Sequence, residues 1–79
     1  MRYFFDLADH GGAIHDHEGT ELETFADMRS EALRALCDIA SEERPNPLDE
    51  LELSLRVRDN RGVVVYELSL SIIGRRLPH

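Results

Sequence analysis

The chain has 79 residues, a formal net charge of −7 at pH 7, 42% hydrophobic residues and 32% charged residues, a composition typical of one small globular domain. A core of this size supplies only about 3 to 5 kcal/mol of net stability, which argues against a buried cofactor cavity with its own lid. All nine basic residues are arginines, and sixteen residues are Asp or Glu. Such an acidic surface repels phosphate, so we do not expect nucleic acid as a partner.

Cys37 is the only cysteine of the sequence, which excludes a disulfide within the chain and is compatible with a reducing cytoplasm. The N-terminal segment reaches an acid at Asp6 and contains no apolar run long enough for a signal peptide. The longest uncharged stretch, residues 68–74, is far too short to cross a membrane. We therefore expect a cytoplasmic protein that does not enter the membrane.

The first third of the chain predicts strands joined by turns. Residues 2–8 alternate between two sides, and this period of two predicts a first strand. Two turns are expected at residues 9–12 and 16–19, which contain Asp and Gly. Short extended segments at residues 13–15 and 20–23 flank the second turn. The second strand of the sheet is either one of these segments or both, joined across a bulge.

A helix follows. Thr24 predicts its start, because the hydroxyl can accept an early backbone N–H and Asp27 suits the positive end of the helix dipole. The helix is expected to end near Glu43 or Arg44, before a short linker that contains the prolines of residues 45–47. Its apolar residues recur at three- and four-residue spacing and are expected to face the sheet. They are Phe25, Met28, Ala32, Leu33, Leu36, Ile39 and Ala40.

The last third of the chain alternates again and predicts a hairpin around a tight turn at residues 59–62. Pairing of Arg58 with Val63 would place Leu55 opposite Tyr66 and give both strands one apolar face. The reverse face is then available to solvent or to a partner. It carries Glu52, Ser54, Arg56, Arg58, Val65, Glu67, Ser69 and Ser71.

This order of elements predicts an α+β fold of the two-layer type β-β-α-β-β, with one helix packed on an antiparallel sheet of about four strands. Residues 1–74 would form the single domain and residues 75–79 a C-terminal tail. Residues 1–50 carry a net charge of −9 and residues 51–79 one of +2, so oppositely charged surfaces could attract a second copy. A sheet this small also leaves one face and its edges exposed, and we expect a homodimer to cover them.

Four segments resemble a family of short uncharacterised proteins from rhizobia and related alphaproteobacteria. They are Arg2-Tyr3-Phe4-Phe5, Asp16-x-x-Gly19-x-Glu21-Leu22, the helix with Glu31-Ala32-Leu33, and the final strand hairpin. That family has no assigned activity, cofactor or catalytic residue, so the resemblance implies a bacterial protein and no particular chemistry. The layout is also similar to the RNase H-like domain of HicB-type antitoxins, whose glycine-containing hairpin likewise leads into a helix. Those domains differ from the layout predicted here in that three strands precede the helix.

His10, His15, Asp16 and His17 are candidate metal ligands, because imidazole and carboxylate groups bind first-row metal ions. His15 and His17 would share one side of an extended segment, whereas His10 would have to fold back across the intervening glycine turn. The alternative is a solvated polar hairpin. No cofactor other than this metal ion is expected.

A second candidate is a basic patch for weak nucleic-acid contact, which consists of Arg56, Arg58, Arg61, Arg75 and Arg76. Few aromatic residues accompany it, and pairing with Glu52 or Glu67, or with the acidic half of another copy, is the competing explanation. Cys37 lies among apolar helix residues, which favours a small core residue over a nucleophile.

The last candidate is the outer face of the sheet together with its edges. There Arg56, Arg58, Val65 and Glu67 would contact a protein partner or a second copy, by strand addition or by packing of two sheets. This function requires the least special chemistry. The sequence therefore favours a non-enzymatic interaction or regulatory module, with a metal-binding protein as the alternative and weak nucleic-acid contact as a further one.

Overall fold

The computed structural model of the chain describes residues 1–9, 11–43 and 49–78. One helix packs on an antiparallel sheet, which confirms the predicted α+β fold. The sheet has five strand segments in the order β2-β1-β4-β5, with β3 also paired to β1, in place of the expected four or so. The elements are β1 (Arg2–Asp9), β2 (Gly12–Ile14), β3 (Thr20–Glu21), α1 (Phe25–Glu42), β4 (Glu50–Arg58) and β5 (Val64–Ile73).

The additional strand arises because the second strand is split in two. β2 pairs with residues 7–9 of β1, and β3 pairs with residues 2–3 at its other end. The loop of residues 15–19 connects them. Between β2 and β3, no strand of the described residues pairs with this edge of β1. There the Asp16 carboxylate accepts the backbone N–H of Phe5 at 3.0 Å, a bond that a neighbouring strand would otherwise provide. Both short segments that the sequence left open therefore pair with β1.

The helix begins and ends where the sequence predicts. Thr24 Oγ1 accepts the N–H of Asp27 at 3.0 Å, as an N-cap residue does. Glu42 is the last helical residue, and the N–H of Glu43 donates to two carbonyls of the final turn. The expected linker at residues 45–47 lies outside the described residues. No helix in the described part of the chain is long and apolar enough to span a membrane.

The core lies between α1 and the inner face of the sheet. The helix contributes a stripe of residues four positions apart, and β4 contributes alternate residues, as their periodicities require. Partly buried apolar residues of the helix and of the strands pack around these contacts. The buried residues are Tyr3, Met28, Ala32, Leu36, Leu53, Leu55 and Val57.

Three helix residues that were expected in the core lie at the surface. Phe25 is 49% exposed, Leu33 is 56% exposed, and Cys37 is exposed as well. The buried stripe contains Met28 and Leu36, and each successive residue of a helix is rotated by about 100° from the one before. Leu33 and Cys37 each follow a buried residue, so they are rotated away from the sheet.

The β4–β5 hairpin is present, but its register differs by two residues from the predicted one. Leu55 pairs with Leu68, where the sequence predicted Tyr66. A β-bulge adds Val65 as an extra residue on β5. A shift of two residues leaves every side chain on its original face, so the predicted continuous apolar face is retained.

The side chain of Asp59 accounts for the different register. Its buried carboxylate accepts the N–H of Arg61 at 2.8 Å and that of Val63 at 3.0 Å. The backbone N–H of Asp59 donates to the Val63 carbonyl at 2.9 Å. These bonds close the turn on Val63, so that Arg58 pairs with Val64 instead.

Gly19 and Gly62 both have positive φ angles, of 73° and 83°, but their surroundings differ. A Cβ atom at Gly19 would lie 2.8 Å from Arg2 Cγ and 2.9 Å from both Phe4 Cε1 and the Tyr3 carbonyl oxygen. A Cβ atom at Gly62 would meet no described atom within 4 Å. The loop can approach β1 this closely only because residue 19 has no side chain.

We expect Gly62→Ala to lower the free energy of unfolding by about 1 to 2 kcal/mol, the cost of a left-handed backbone alone. Gly19→Ala carries the same cost and adds the clash with β1, so we expect a loss of roughly 3 kcal/mol or more. Urea denaturation followed by circular dichroism measures both variants, with Gly62→Ala as the matched control. Equal losses would contradict the close approach at Gly19.

Candidate interaction site

A half-buried ion pair joins β1 to β4 on the outer face of the sheet. Arg58 Nε donates to Asp6 Oδ2 at 2.6 Å, and Arg58 Nη2 donates to Asp6 Oδ1 at 3.1 Å. The two side chains are only 18% and 20% exposed. The guanidinium also lies 5.1 Å from the centre of the Phe4 ring. Two-pronged arginine–carboxylate contacts of this kind are among the stronger hydrogen bonds in proteins.

The same pair fixes the loop that precedes β3. Arg58 Nη2 donates to the Asp16 carbonyl at 2.9 Å, and the Asp16 N–H donates to Asp6 Oδ1 at 2.9 Å. Asp16 Oδ1 in turn accepts the N–H groups of Glu18 and Gly19, each at 3.1 Å. The Asp16-x-x-Gly19 segment is therefore a structural loop, in which the carboxylate binds the backbone on both sides.

These contacts lower the pKa of each carboxyl group involved. Hydrogen bonds from Arg58 are the main cause of the lowered pKa of Asp6, against the effect of burial. At Asp16 burial acts to raise the pKa, but three backbone N–H groups together outweigh it. The backbone N–H of Val63 is the main cause of the lowered pKa of Asp59. All three groups are held as carboxylates, the form in which they stabilise the fold.

The predicted metal ligands are brought together only in part. The rings of His15 and His17 lie 5.0 Å apart in an edge-to-face arrangement, and His15 Nδ1 is 3.5 Å from Asp6 Oδ1. The Asp16 carboxylate binds backbone N–H groups, and His10 lies outside the described residues. In the part of the chain that the structure describes, no three His, Cys, Asp or Glu side chains are placed to hold a metal ion.

The arginines of the predicted basic patch are divided among separate ion pairs. Arg56 Nε lies 2.9 Å from Glu67 Oε2 across the hairpin, as one of the predicted pairings requires. Arg61 Nη2 lies 3.3 Å from Asp59 Oδ2, and Arg58 belongs to the pair with β1. The two C-terminal arginines are exposed beyond the end of β5. Three of the five arginines thus bind acids of the same chain.

The second edge of β5 is unpaired within the described residues, because β5 pairs only with β4 there. We call this the open edge. β5 is ten residues long, contains no Lys, Arg or Pro, and has Glu67 as its only charged residue. Long apolar edges of this kind accept additional strands. Exposed apolar residues on β5 or next to it are Val63, Val64, Val65, Ile72 and Ile73.

A groove of about 320 Å³ lies between α1 and β5, beside the open edge. Tyr66 lines this groove. The Phe25 and Tyr66 rings are arranged edge-to-face with their centres 5.9 Å apart, and the Arg29 guanidinium lies 6.0 Å from the centre of the Tyr66 ring. Leu33 and Leu68 also line this groove. The exposed helix residues therefore extend the apolar surface of β5.

The outer face of the sheet is polar by comparison and lined by serine and glutamate residues. Of the four residues predicted to contact a partner, Arg56, Arg58 and Glu67 take part in ion pairs within the chain. Val65, the extra residue of the bulge, is 37% exposed. The two ion pairs of the outer face are thus already formed within the chain, whereas the open edge presents backbone groups that can accept a strand.

Sequence reasoning missed Phe25 and Leu33 as surface residues. The signal that could have identified them is the width of the apolar stripe on the helix. Seven apolar positions cover a broader arc than one contact between a helix and a sheet can bury. Some of them must therefore lie at the margin of the contact, where a second surface can cover them.

Comparison with known families gives a match over most of the chain. A family described as Domain of unknown function (DUF6894) matches residues 2–71. The chain belongs to this family. The match spans β1 to the greater part of β5 and includes the Asp6–Arg58 pair and the Asp16 loop. It confirms the expectation of a family without an assigned function. No curated protein and no solved structure matches the chain.

We expect Asp6→Asn to lower the free energy of unfolding by about 1.5 to 3 kcal/mol, because an amide cannot replace the charge-assisted bonds to Arg58. Glu67→Gln is the matched control, since it makes the same change in the exposed pair with Arg56. Exposed pairs of this kind contribute about 0 to 1 kcal/mol. Chemical denaturation at neutral pH compares the two variants, and equal losses would contradict the importance assigned to Asp6.

Acid should destabilise the protein through Asp6, Asp16 and Asp59. The pKa of each is lower in the folded chain than its ordinary value of 3.8, so the unfolded chain binds protons more readily. Their stabilisation is complete above the ordinary pKa and is lost as the pH falls through the lowered values. We expect the Tm from calorimetry to fall between about pH 5 and pH 2, and to fall less in Asp6→Asn. A constant Tm over this range would contradict the proton linkage.

Proposed function

We propose that the chain is a non-enzymatic protein-interaction module whose partner adds a strand to the open edge of β5. One observation carries the proposal: β5 extends over ten residues, and in the described structure only one of its edges is paired. Each outward-facing N–H and C=O group of such an edge can bond to an incoming extended segment. The apolar groove beside the edge adds hydrophobic area to the same surface.

The open edge is a better binding surface than the outer face. A partner on the outer face would have to remove water from ion pairs that are already formed within the chain, and such burial is costly. A partner at the edge gains hydrogen bonds and covers exposed apolar residues without breaking any of these ion pairs. Arg58, which the sequence suggested as a contact residue, is a poor probe of binding because its loss would weaken the contact between β1 and β4.

A role without catalysis is supported by what the acidic groups do. Asp6, Asp16 and Asp59 have lowered pKa values, and each has its charge bound by groups of the fold. We propose a bacterial, cytoplasmic protein, in keeping with its resemblance to alphaproteobacterial proteins and its single cysteine. Three strand segments precede α1, and this count supports the likeness in layout to HicB-type antitoxin domains.

The test is native mass spectrometry of the untagged protein, purified gently from its own host. Ser69→Lys with Ser71→Lys places two charges on β5, and lysines on an edge strand oppose strand addition. Thr20→Lys with Ser41→Lys adds the same charge away from β5 and serves as the matched control. We expect the wild type and the control to retain a bound polypeptide and the β5 variant to lose it.

Two results would contradict the proposal. One is a wild-type spectrum that contains only the free 9.0-kDa chain at micromolar concentration. The other is a β5 variant that keeps its polypeptide as well as the control does. Circular dichroism of each variant checks that the chain remains folded, so that loss of binding is not mistaken for loss of structure.

A further inference from the structure

The apolar pattern of β5 is symmetric about Ser69. Tyr66, Leu68, Leu70 and Ile72 pair across the hairpin with the apolar residues of β4, and two of the four lie on each side of Ser69. An antiparallel copy of the strand centred on Ser69 would place Leu68 opposite Leu70, and Tyr66 opposite Ile72. Each residue on the inner face of the sheet then lies opposite another residue of that face. A sheet with one buried face requires such a register.

We propose that the occupant of the open edge is a second copy of this chain, paired antiparallel about a two-fold axis at Ser69. This inference rests on the proposed function and names its partner. The sheets of the two copies, each with the strand order β2-β1-β4-β5, would join at β5 into one continuous sheet. Because each copy uses the same surface, the contact is self-complementary and closes as a dimer.

The distribution of charge favours this occupant. Glu67 is the only charged residue of β5 and would lie opposite Ser71 of the second copy, so no like charges meet along the strand. Residues 51–79, which contain β5 and all of β4 except Glu50, carry a net charge of only +2, against −9 for residues 1–50. β2 and β3 form the far edge of the sheet, away from the contact, whereas α1, with four acids and two arginines, flanks it.

The groove beside β5 supplies the second part of the interface. With inner residues facing inner residues, both helices lie on the same face of the joined sheet and flank the two-fold axis. Leu33 is near the middle of α1 and lines the groove together with Tyr66 and Leu68. Its exposed side chain would pack against the helix of the second copy. Pairing of the strands and burial of Leu33 therefore occur together.

Sedimentation equilibrium tests the dimer. We expect the wild type to have twice the 9.0-kDa mass of one chain. Leu33→Glu should raise the dimer Kd by at least about tenfold, because it places a charge in an apolar contact. Leu77→Glu makes the same change at another exposed leucine and should leave the Kd unchanged. Since Leu33 is exposed in the single chain, the variant should fold normally, which circular dichroism checks.

Disulfide cross-linking tests the register. In a Cys37→Ser background, Ser69→Cys would place two cysteines opposite each other at the axis, with Cα atoms about 4.5 to 5.5 Å apart. That separation lies in the range that disulfides span. Ser71→Cys would lie opposite Glu67 and serves as the control. We expect oxidation to produce the linked dimer of Ser69→Cys several-fold faster than that of Ser71→Cys.

The outcomes separate this inference from the proposed function. A wild type that stays monomeric at high micromolar concentration overturns the second copy as the occupant. The wild type could instead bind a different polypeptide that the variant with Ser69→Lys and Ser71→Lys does not bind. In that case the proposed function holds and the partner is another protein. A dimer that survives Leu33→Glu, or that cross-links faster through Ser71→Cys, overturns the proposed interface.

Discussion

The ion pair between Asp6 and Arg58 is the contact on which the rest of the sheet depends. It joins two residues that are 52 positions apart in the chain, and its carboxylate also accepts the N–H of Asp16. One side chain thus connects β1, β4 and the loop before β3. Removing such charges from water is costly, and good geometry offsets the cost only when the remaining polar atoms are bound. Among the described residues, every buried side-chain nitrogen and oxygen has a partner.

The two edges of the sheet are finished in different ways. On the β1 side, two short strands and a carboxylate cover an edge that would otherwise be exposed, and acidic residues surround it. Short, interrupted and charged edges resist further pairing. On the β5 side the strand is long, regular beyond its bulge and nearly uncharged. This asymmetry is what makes one edge a candidate for binding and the other a closed boundary.

Local patterns of the sequence were sufficient for the elements themselves. The Thr24 cap, the helix period and the alternation of the two long strands each depend on residues close together in the chain. The pair between Arg56 and Glu67 could also be predicted from the sequence, because the two strands of the hairpin are close together in the chain. The fold class therefore follows from information that spans only a few turns or one hairpin.

The remaining features depend on contacts that no local pattern contains. The partner of Arg58 became clear only from the pairing of β1 with β4, which is set by the packing of the whole sheet. The hairpin register depends on how the Asp59 side chain closes its turn. The alternation of apolar and polar residues is compatible with both the predicted and the observed register, so it could not decide between them. The exposure of Leu33 depends on how much of the helix the sheet can cover. The histidine spacing, likewise, does not specify the backbone bonds of Asp16.

The pairing of β1 with β4 also bears on how the chain folds. The hairpin of β4 and β5 brings together residues close in sequence, whereas β1 must close a loop of some fifty residues to reach β4. Loop closure of this length slows folding relative to local contacts. During synthesis, β1 is made before β4 and stays unpaired with it until the intervening residues have been added. Until then, the aromatic residues Phe4 and Phe5 lack the strand beside which they lie in the folded chain.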